Sequence, residues 1–196
     1  MPHVERAPFV PRHPVQVTWR CVGGLPSLRG DASFSVIIGA FQVVRARVGF
    51  RLVHYSVLAN HIHAIVEADS AEAFELGMRA LGTLLAKRLN ALFGRKGRFF
   101  DHRFHMRVLA SPSEVRFSLQ YVLLNARKHA AERGVRMAAS WLDPRRSASA
   151  FDGWLGTVER RGETMRVTSA PATWLLAVGW RLAGGPLRAD AVPSAA

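Results

Sequence analysis

The stretch FRLVHYSVLANHIHAIVEA, residues 50–68, decides the fold. It contains two strand-like runs, FRLVHYSVL (50–58) and HIHAIVEA (61–68), separated only by Ala59-Asn60. A connection that short reads as a hairpin, so the two runs pair antiparallel. Pairing 58 with 61 sets 56 opposite 63. Side chains alternate between the faces of a strand, so His61 and His63 point one way while Ile62, Ala64 and Val66 point the other. On that register His54 and Ser56 join the histidine face and Tyr55 turns to the apolar one. Residues two apart on a strand have Cα atoms about 6.5–7 Å apart, which lets two imidazoles converge on one ion.

The flanking segments supply the rest of a sheet and its helices. PVQVTWRCV (14–22) alternates, with Val15, Val17, Trp19 and Cys21 on one face and Gln16, Thr18 and Arg20 on the other. After the turn-rich GGLPSLRGD, Asp31 is expected to cap a helix with the stripe Phe34, Ile37, Ile38, Phe41, Val44, Val48, ended by Gly49. Beyond the hairpin, Asp69 with Glu72 reads as a capping box for a long helix striped by Phe74, Met78, Leu81, Leu85, Leu89 and Leu92, closed by Gly94. RFHMRVLA (103–110) alternates again, with Phe104, Met106, Val108 and Ala110 opposite Arg103, His105 and Arg107. Ser111-Pro112-Ser113-Glu114 then opens a helix running from 112 to about 130: cap, first-turn proline, and Glu at the third position. The order strand, helix, strand, strand, helix, strand, helix implies an α+β fold. Its expected form is an antiparallel sheet with helices packed on one face, close to the split βαβ arrangement.

Composition bounds the function. The chain has 196 residues and an apolar share of 49%, enough for a sizeable core. No apolar run approaches the roughly 18–20 residues that span a bilayer. MPHVERAPFVPRHP lacks an apolar h-region, which argues against a secretory signal. The lone Cys21 excludes an internal disulfide and fits a reducing cytoplasm. Lys and Arg number 27 against 14 acidic residues, a net charge of +13 that points to a polyanion such as nucleic acid. Only three of those cations are lysines, so part of the basicity follows codon bias in a GC-rich genome.

The last helix carries the remaining chemistry. Its core stripe is Val115, Leu119, Val122 and Ala126, and Tyr121 and Asn125, four apart, share a face to one side of it. By itself that pair reads as a rim tyrosine and a solvated asparagine.

NHIHAIV, KGRFFDHRFHMRVL and SEVRFSLQYVLLNARKHA together resemble the single-tyrosine HUH transposases, in particular the REP-associated tyrosine transposase branch. That family places His, a bulky apolar residue and His on a strand, and about sixty residues later a helix bearing Tyr-x-x-x-Asn or Tyr-x-x-x-Gln. Here the motifs read His61-Ile62-His63 and Tyr121-Val122-Leu123-Leu124-Asn125, and the likeness covers roughly residues 14–130. The resemblance implies a metal-dependent transposase and endonuclease acting on single-stranded DNA. It makes His61, His63 and Asn125 ligands of Mg²⁺ or Mn²⁺, and Tyr121 the nucleophile that forms a 5′-phosphotyrosine. Two departures stand out: Ala59 where relatives commonly have proline before the asparagine, and Ala126 where many continue with proline. Neither touches a proposed ligand.

DNA contacts are expected from Arg103, His105 and Arg107 on one strand, from the basic turn Arg95, Lys96 and Arg98, and from Lys128, seven residues after Tyr121. The partner is expected to be single-stranded DNA, hairpin-forming or repeat-flanked, bound by a monomer or homodimer. Residues 131–196 form an extension whose Trp141, Trp154, Trp174 and Trp180 read mainly as apolar anchors, with DPRRSASA and GGPLRADAVPSAA as loop and tail. Two other functions fit less well. A catalytically silent DNA-binding protein of this fold would not need all four site residues, and a metallohydrolase would need a Glu or Asp base that the motif lacks.

Overall fold

The computed structural model describes residues 9–159 and 167–193. Four strands, β1 (Val15–Arg20), β2 (Phe50–Val57), β3 (His61–Ala68) and β4 (His105–Val108), form one antiparallel sheet in the order β2-β3-β1-β4. Between them run α1 (Asp31–Arg45) and α2 (Ala71–Leu92), and α3 (Pro112–Glu132) follows β4. This is the split βαβ topology: each βαβ crossover skips one strand position, which a strand of the other βαβ unit fills.

The hairpin pairs as its sequence requires, Ser56 opposite His63 and Val57 opposite Ile62. A register shift between Leu52 and His54 marks a bulge, with Val53 the extra residue. Val15, Val17, Trp19, Tyr55, Ile62, Ala64 and Val66 all fall on one face, where α1 and α2 bury them in a common core. That is the expected helix layer. It packs closely enough that Gly77 of α2 lies against Phe50, where a Cβ would meet the ring at 2.3 Å. The third helix crosses the opposite, histidine-bearing face, using Val115, Leu119 and Val122 against Ile65 and Val53.

Helix starts differ in detail from the sequence reading. α1 is capped by Gly30, with Asp31 inside its first turn, and it ends at Arg45, leaving Val48 98% exposed instead of on the stripe. Ser70, not Asp69, caps α2, its hydroxyl accepting from Ala73 N; the Asp69 carboxylate turns back to Arg51. Both cases reflect competition: a side chain caps only if no better partner takes it. At α3 the expected cap forms, Ser111 Oγ accepting from Glu114 N, while Glu114 accepts from Ala110 N, one residue before the cap.

The extension is folded into the second core. Leu142, Ala148, Phe151, Trp154, Leu175, Leu176, Trp180 and Leu187 pack with α3. Trp154 and Trp180 are the anchors expected, whereas Trp174 is 58% exposed. The presumed tail supplies a two-residue strand, β6 (Leu187–Arg188), parallel to β5 (Trp154–Leu155); only residues 194–196 of it lie outside the described residues. DPRRSASA is not a solvated loop either: Asp143, Arg146, Ser147 and Ala148 are buried. Glu67, the last polar residue on the histidine face of β3, fastens the far end by accepting from Ala172 N at 2.6 Å, Thr173 N at 3.0 Å and Thr173 Oγ1 at 2.6 Å. Among the described residues no helix is long and apolar enough to cross a membrane.

Candidate functional site

The two histidines of β3 do converge. Their ring centroids are 4.7 Å apart and their planes nearly perpendicular. Each ring is held through Nδ1. His61 Nδ1 lies 2.7 Å from Asn60 Oδ1, an oxygen that can only accept, so Nδ1 carries the proton and Nε2 the lone pair. His63 Nδ1 lies 2.8 Å from Thr18 Oγ1, its neighbour on β1. His63 Nε2 is buried with no hydrogen-bond partner among the described residues. Buried orphan nitrogens are rare because each forfeits a hydrogen bond it would have in water.

Burial, reinforced by the Arg20, His129 and Arg146 charges, pushes His61 down to about 4. Burial, then His61 and Arg146, pushes His63 down to about 3. Both imidazoles are therefore neutral at physiological pH, the form that ligates metals.

Tyr121 of α3 comes to this pair. Its ring centroid is 4.9 Å from that of His63, edge to face, and the side chain is half-buried at the margin of the second core. Tyr55, the other tyrosine, is fully buried in the first core against Phe41, as the hairpin register requires. Asn125, one turn beyond Tyr121 on the same helix face, is 2% exposed, so it is a buried amide and not a solvated one. His129 continues that face by another turn. No group of three His, Cys, Asp or Glu side chains able to hold a metal occurs among the described residues. A third ligand for an ion at the histidine pair therefore has to come from another donor type, and the Asn125 amide oxygen is of a kind that hard divalent cations accept.

The basic residues divide. Register places His105 opposite Thr18 and Arg107 opposite Gln16, so both share the face of His63, and Arg103 precedes them by two. All three are exposed, although Arg107 is ion-paired with Glu114 at 3.1 Å. Arg95, Lys96 and Arg98 stand apart, in the turn between α2 and β4. Arg95 folds back to donate to the Arg98 carbonyl at 3.1 Å, and Arg98 pairs with Asp101 at 3.5 Å; only Lys96 is left projecting without such a contact among the described residues. Lys128 is half-buried on α3.

Two cations escaped the sequence reading. Arg20 is exposed beside His61, its register partner on β3. The signal was present, since Arg20 follows Thr18 by two, but an arginine on a half-exposed strand looks like ordinary surface. Arg146 carried no local signal. It pairs with Asp143 through Nε at 2.8 Å and donates from Nη1 to the Val122 carbonyl at 2.9 Å, with 1% of its side chain exposed.

No family model and no curated protein matches this chain. Among solved structures, one described as a REP-associated tyrosine transposase bound to a REP hairpin is similar, with a TM-score of 0.55 and 16% sequence identity. The similarity covers 73% of this chain and 81% of that one. The four-stranded antiparallel sheet and its helices are thus the fold seen in that transposase.

Proposed function

We propose that this chain is a single-stranded DNA transposase and endonuclease that cuts by forming a 5′-phosphotyrosine and rejoins the strand to a new end. The observation that carries the reading is the contact between the Tyr121 ring and His63, whose Nε2 is buried without a partner. A phenol beside two neutral imidazoles, one with an unpartnered ring nitrogen, is a costly thing to build into a face that aliphatic residues could have filled.

The donor set fits a divalent cation. His61 Nε2, His63 Nε2 and the Asn125 amide oxygen would hold Mg²⁺ or Mn²⁺, three protein ligands that leave positions for substrate oxygens. When bound, such an ion polarises the scissile phosphate and offsets its growing charge. The chain's own residues do the rest. Thr18 and Asn60 engage the two imidazoles through Nδ1, which would leave each Nε2 for the ion. α3 holds Tyr121 so that its Oη can attack phosphorus as the P–O3′ bond breaks. The electron pair leaves on O3′, which gains a proton, while the phenol gives its own to solvent. The phosphodiester energy is kept in the tyrosyl ester, which a second hydroxyl can later attack. Arg20, His105 and Arg107, on the histidine face, and Arg103, in the bend before β4, would hold phosphates along the strand. The solved relative in fold is described with a REP hairpin, which supports a hairpin-bearing DNA as the partner.

The test is covalent capture. Single-stranded oligonucleotides from the DNA flanking the gene, incubated with the protein and Mn²⁺, should give an adduct stable on a denaturing gel. Tyr121→Phe should abolish it. An adduct that survives in that variant would overturn the assignment; cleavage without any adduct would indicate a hydrolase, and binding alone a silent DNA-binding protein.

A further inference from the structure

Residues 145 and 146 extend the sheet past its β2 edge. Val57 N donates to the Arg145 carbonyl at 3.0 Å, and Arg146 bridges Ser56 in antiparallel fashion. A row therefore crosses the histidine face: Arg146, Ser56, His63, Thr18, His105. Neighbours in such a row are about 4.8 Å apart along the sheet. Ser56, between the arginine and the histidine, is fully buried and its Oγ has no hydrogen-bond partner among the described residues. An orphaned hydroxyl able to donate, Ser56 Oγ, thus lies on that row between the guanidinium and His63.

At that end two guanidiniums share one carboxylate. Asp143 is 3% exposed and receives two guanidiniums: Arg29 through both its Nη atoms, at 2.9 and 3.0 Å, and Arg146 through Nε. Among the described residues neither arginine is ion-paired to a second carboxylate. The cluster keeps one net positive charge, shared between the buried Arg146 and Arg29, whose side chain is 37% exposed, so Asp143 neutralises Arg146 only in part. The Arg146 Nη1 bond to the Val122 carbonyl ties that charge to the helix turn next to Tyr121.

We infer that the Arg29–Asp143–Arg146 cluster is built for an oxyanion at the histidine–tyrosine site, with Arg146 a positioning residue that places positive charge behind the scissile phosphate. Arg146 acts through Val122, which it fixes, and through space, where a low dielectric makes its field strong. This rests on the function proposed above for the identity of the anion, a DNA phosphate, though not for the existence of the site.

Inorganic phosphate is the probe, added to the metal-free full chain while its melting midpoint is followed. At ten times its dissociation constant phosphate should raise the wild-type midpoint by about 3–5 °C. Arg146→Lys, which keeps the charge, should respond likewise, and Arg146→Met should not respond. Where Arg146→Met does not fold, Arg29→Met serves instead: it removes the outer cation and should cut the response by at least half. No response in the wild type, an equal response in Arg146→Met, or an undiminished one in Arg29→Met overturns the inference. At saturating DNA and Mn²⁺, Arg146→Met should also slow adduct formation by about 100-fold, with DNA affinity changed less than about threefold. An adduct rate in Arg146→Met equal to wild type likewise overturns it. A wild type that binds phosphate but forms no adduct would sink the transposase reading and leave the anion site standing.

Discussion

Thr18 shows how much a single second partner can matter. Its hydroxyl lies 2.8 Å from His63 Nδ1 and so restrains the ring, which on the proposed reading leaves Nε2 for the ion. Hydrogen-bond partners behind metal-ligating histidines typically account for 10–100-fold in affinity. Thr18→Val keeps the shape and removes the hydroxyl, so Mn²⁺ affinity should fall by about tenfold or more in a calorimetric titration, while the fold survives. Undiminished affinity in that variant would mean that His63 does not ligate, or does so without this partner. Arg20 belongs at the same scale. If it holds a phosphate beside His61, Arg20→Ala should weaken single-strand binding and reduce the slope of log affinity against log salt by about 0.7, the single-strand value for one phosphate contact.

At the scale of elements, α2 and α3 are positioned by different means. α2 sits against the sheet because Gly77 lets the backbone approach Phe50, a contact that no side chain could share. Gly77→Ala gains helix propensity but must displace the ring, and the net loss should be about 1–3 kcal/mol in urea denaturation. α3 is positioned from its start, by Ser111 and Glu114, and from its middle, by the Arg146 bond to Val122. Ser111→Ala should cost about 1 kcal/mol. Because α3 carries both Tyr121 and Asn125, the element that orients it also orients the proposed nucleophile.

For the whole molecule, buried histidines set the acid limit. His54 is buried beside Ser147 and Phe151, and burial pushes it down to about 4 from an ordinary 6.5, against a weaker opposing pull from Asp152. His61 and His63 are lowered likewise. A group with a folded value below its unfolded one stabilises the protein above the unfolded value. That contribution is lost as pH falls toward the folded value. Stability should therefore be greatest above about pH 6.5 and decline between 6.5 and 4, read as a falling urea midpoint. His54→Gln should flatten the decline; a midpoint constant from pH 7 to 4.5 would contradict the desolvation of the buried His54 and His63 and the half-buried His61. Asp143, whose burial alone would raise it, is held below the usual carboxylate range by Arg29 and Arg146, so its contribution is lost only on further acidification. The extension is joined to the sheet through Glu67, and Glu67→Ala should destabilise the protein by about 3 kcal/mol and expose residues near Thr173 to protease.

Local pattern was enough for part of this protein. The two-residue link at Ala59-Asn60 set the hairpin register, and period-two alternation then assigned His61, His63, Thr18 and Tyr55 to their faces, because a strand offers a side chain only two directions. Four-residue spacing put Tyr121 and Asn125 on one side of α3 for the analogous reason. What no local pattern contains is which face α3 crosses, and so whether Tyr121 meets His63. The cluster of Arg29, Asp143 and Arg146 joins positions 114 residues apart, and its burial depends on a chain path through an apparently solvated arginine run. The caps at Gly30 and Ser70 were likewise settled by competition from distant or neighbouring partners. Periodicity is a property of one segment, whereas desolvation belongs to the assembled whole, and it is desolvation that sets Arg146 and Asn125 apart from ordinary surface arginines and asparagines.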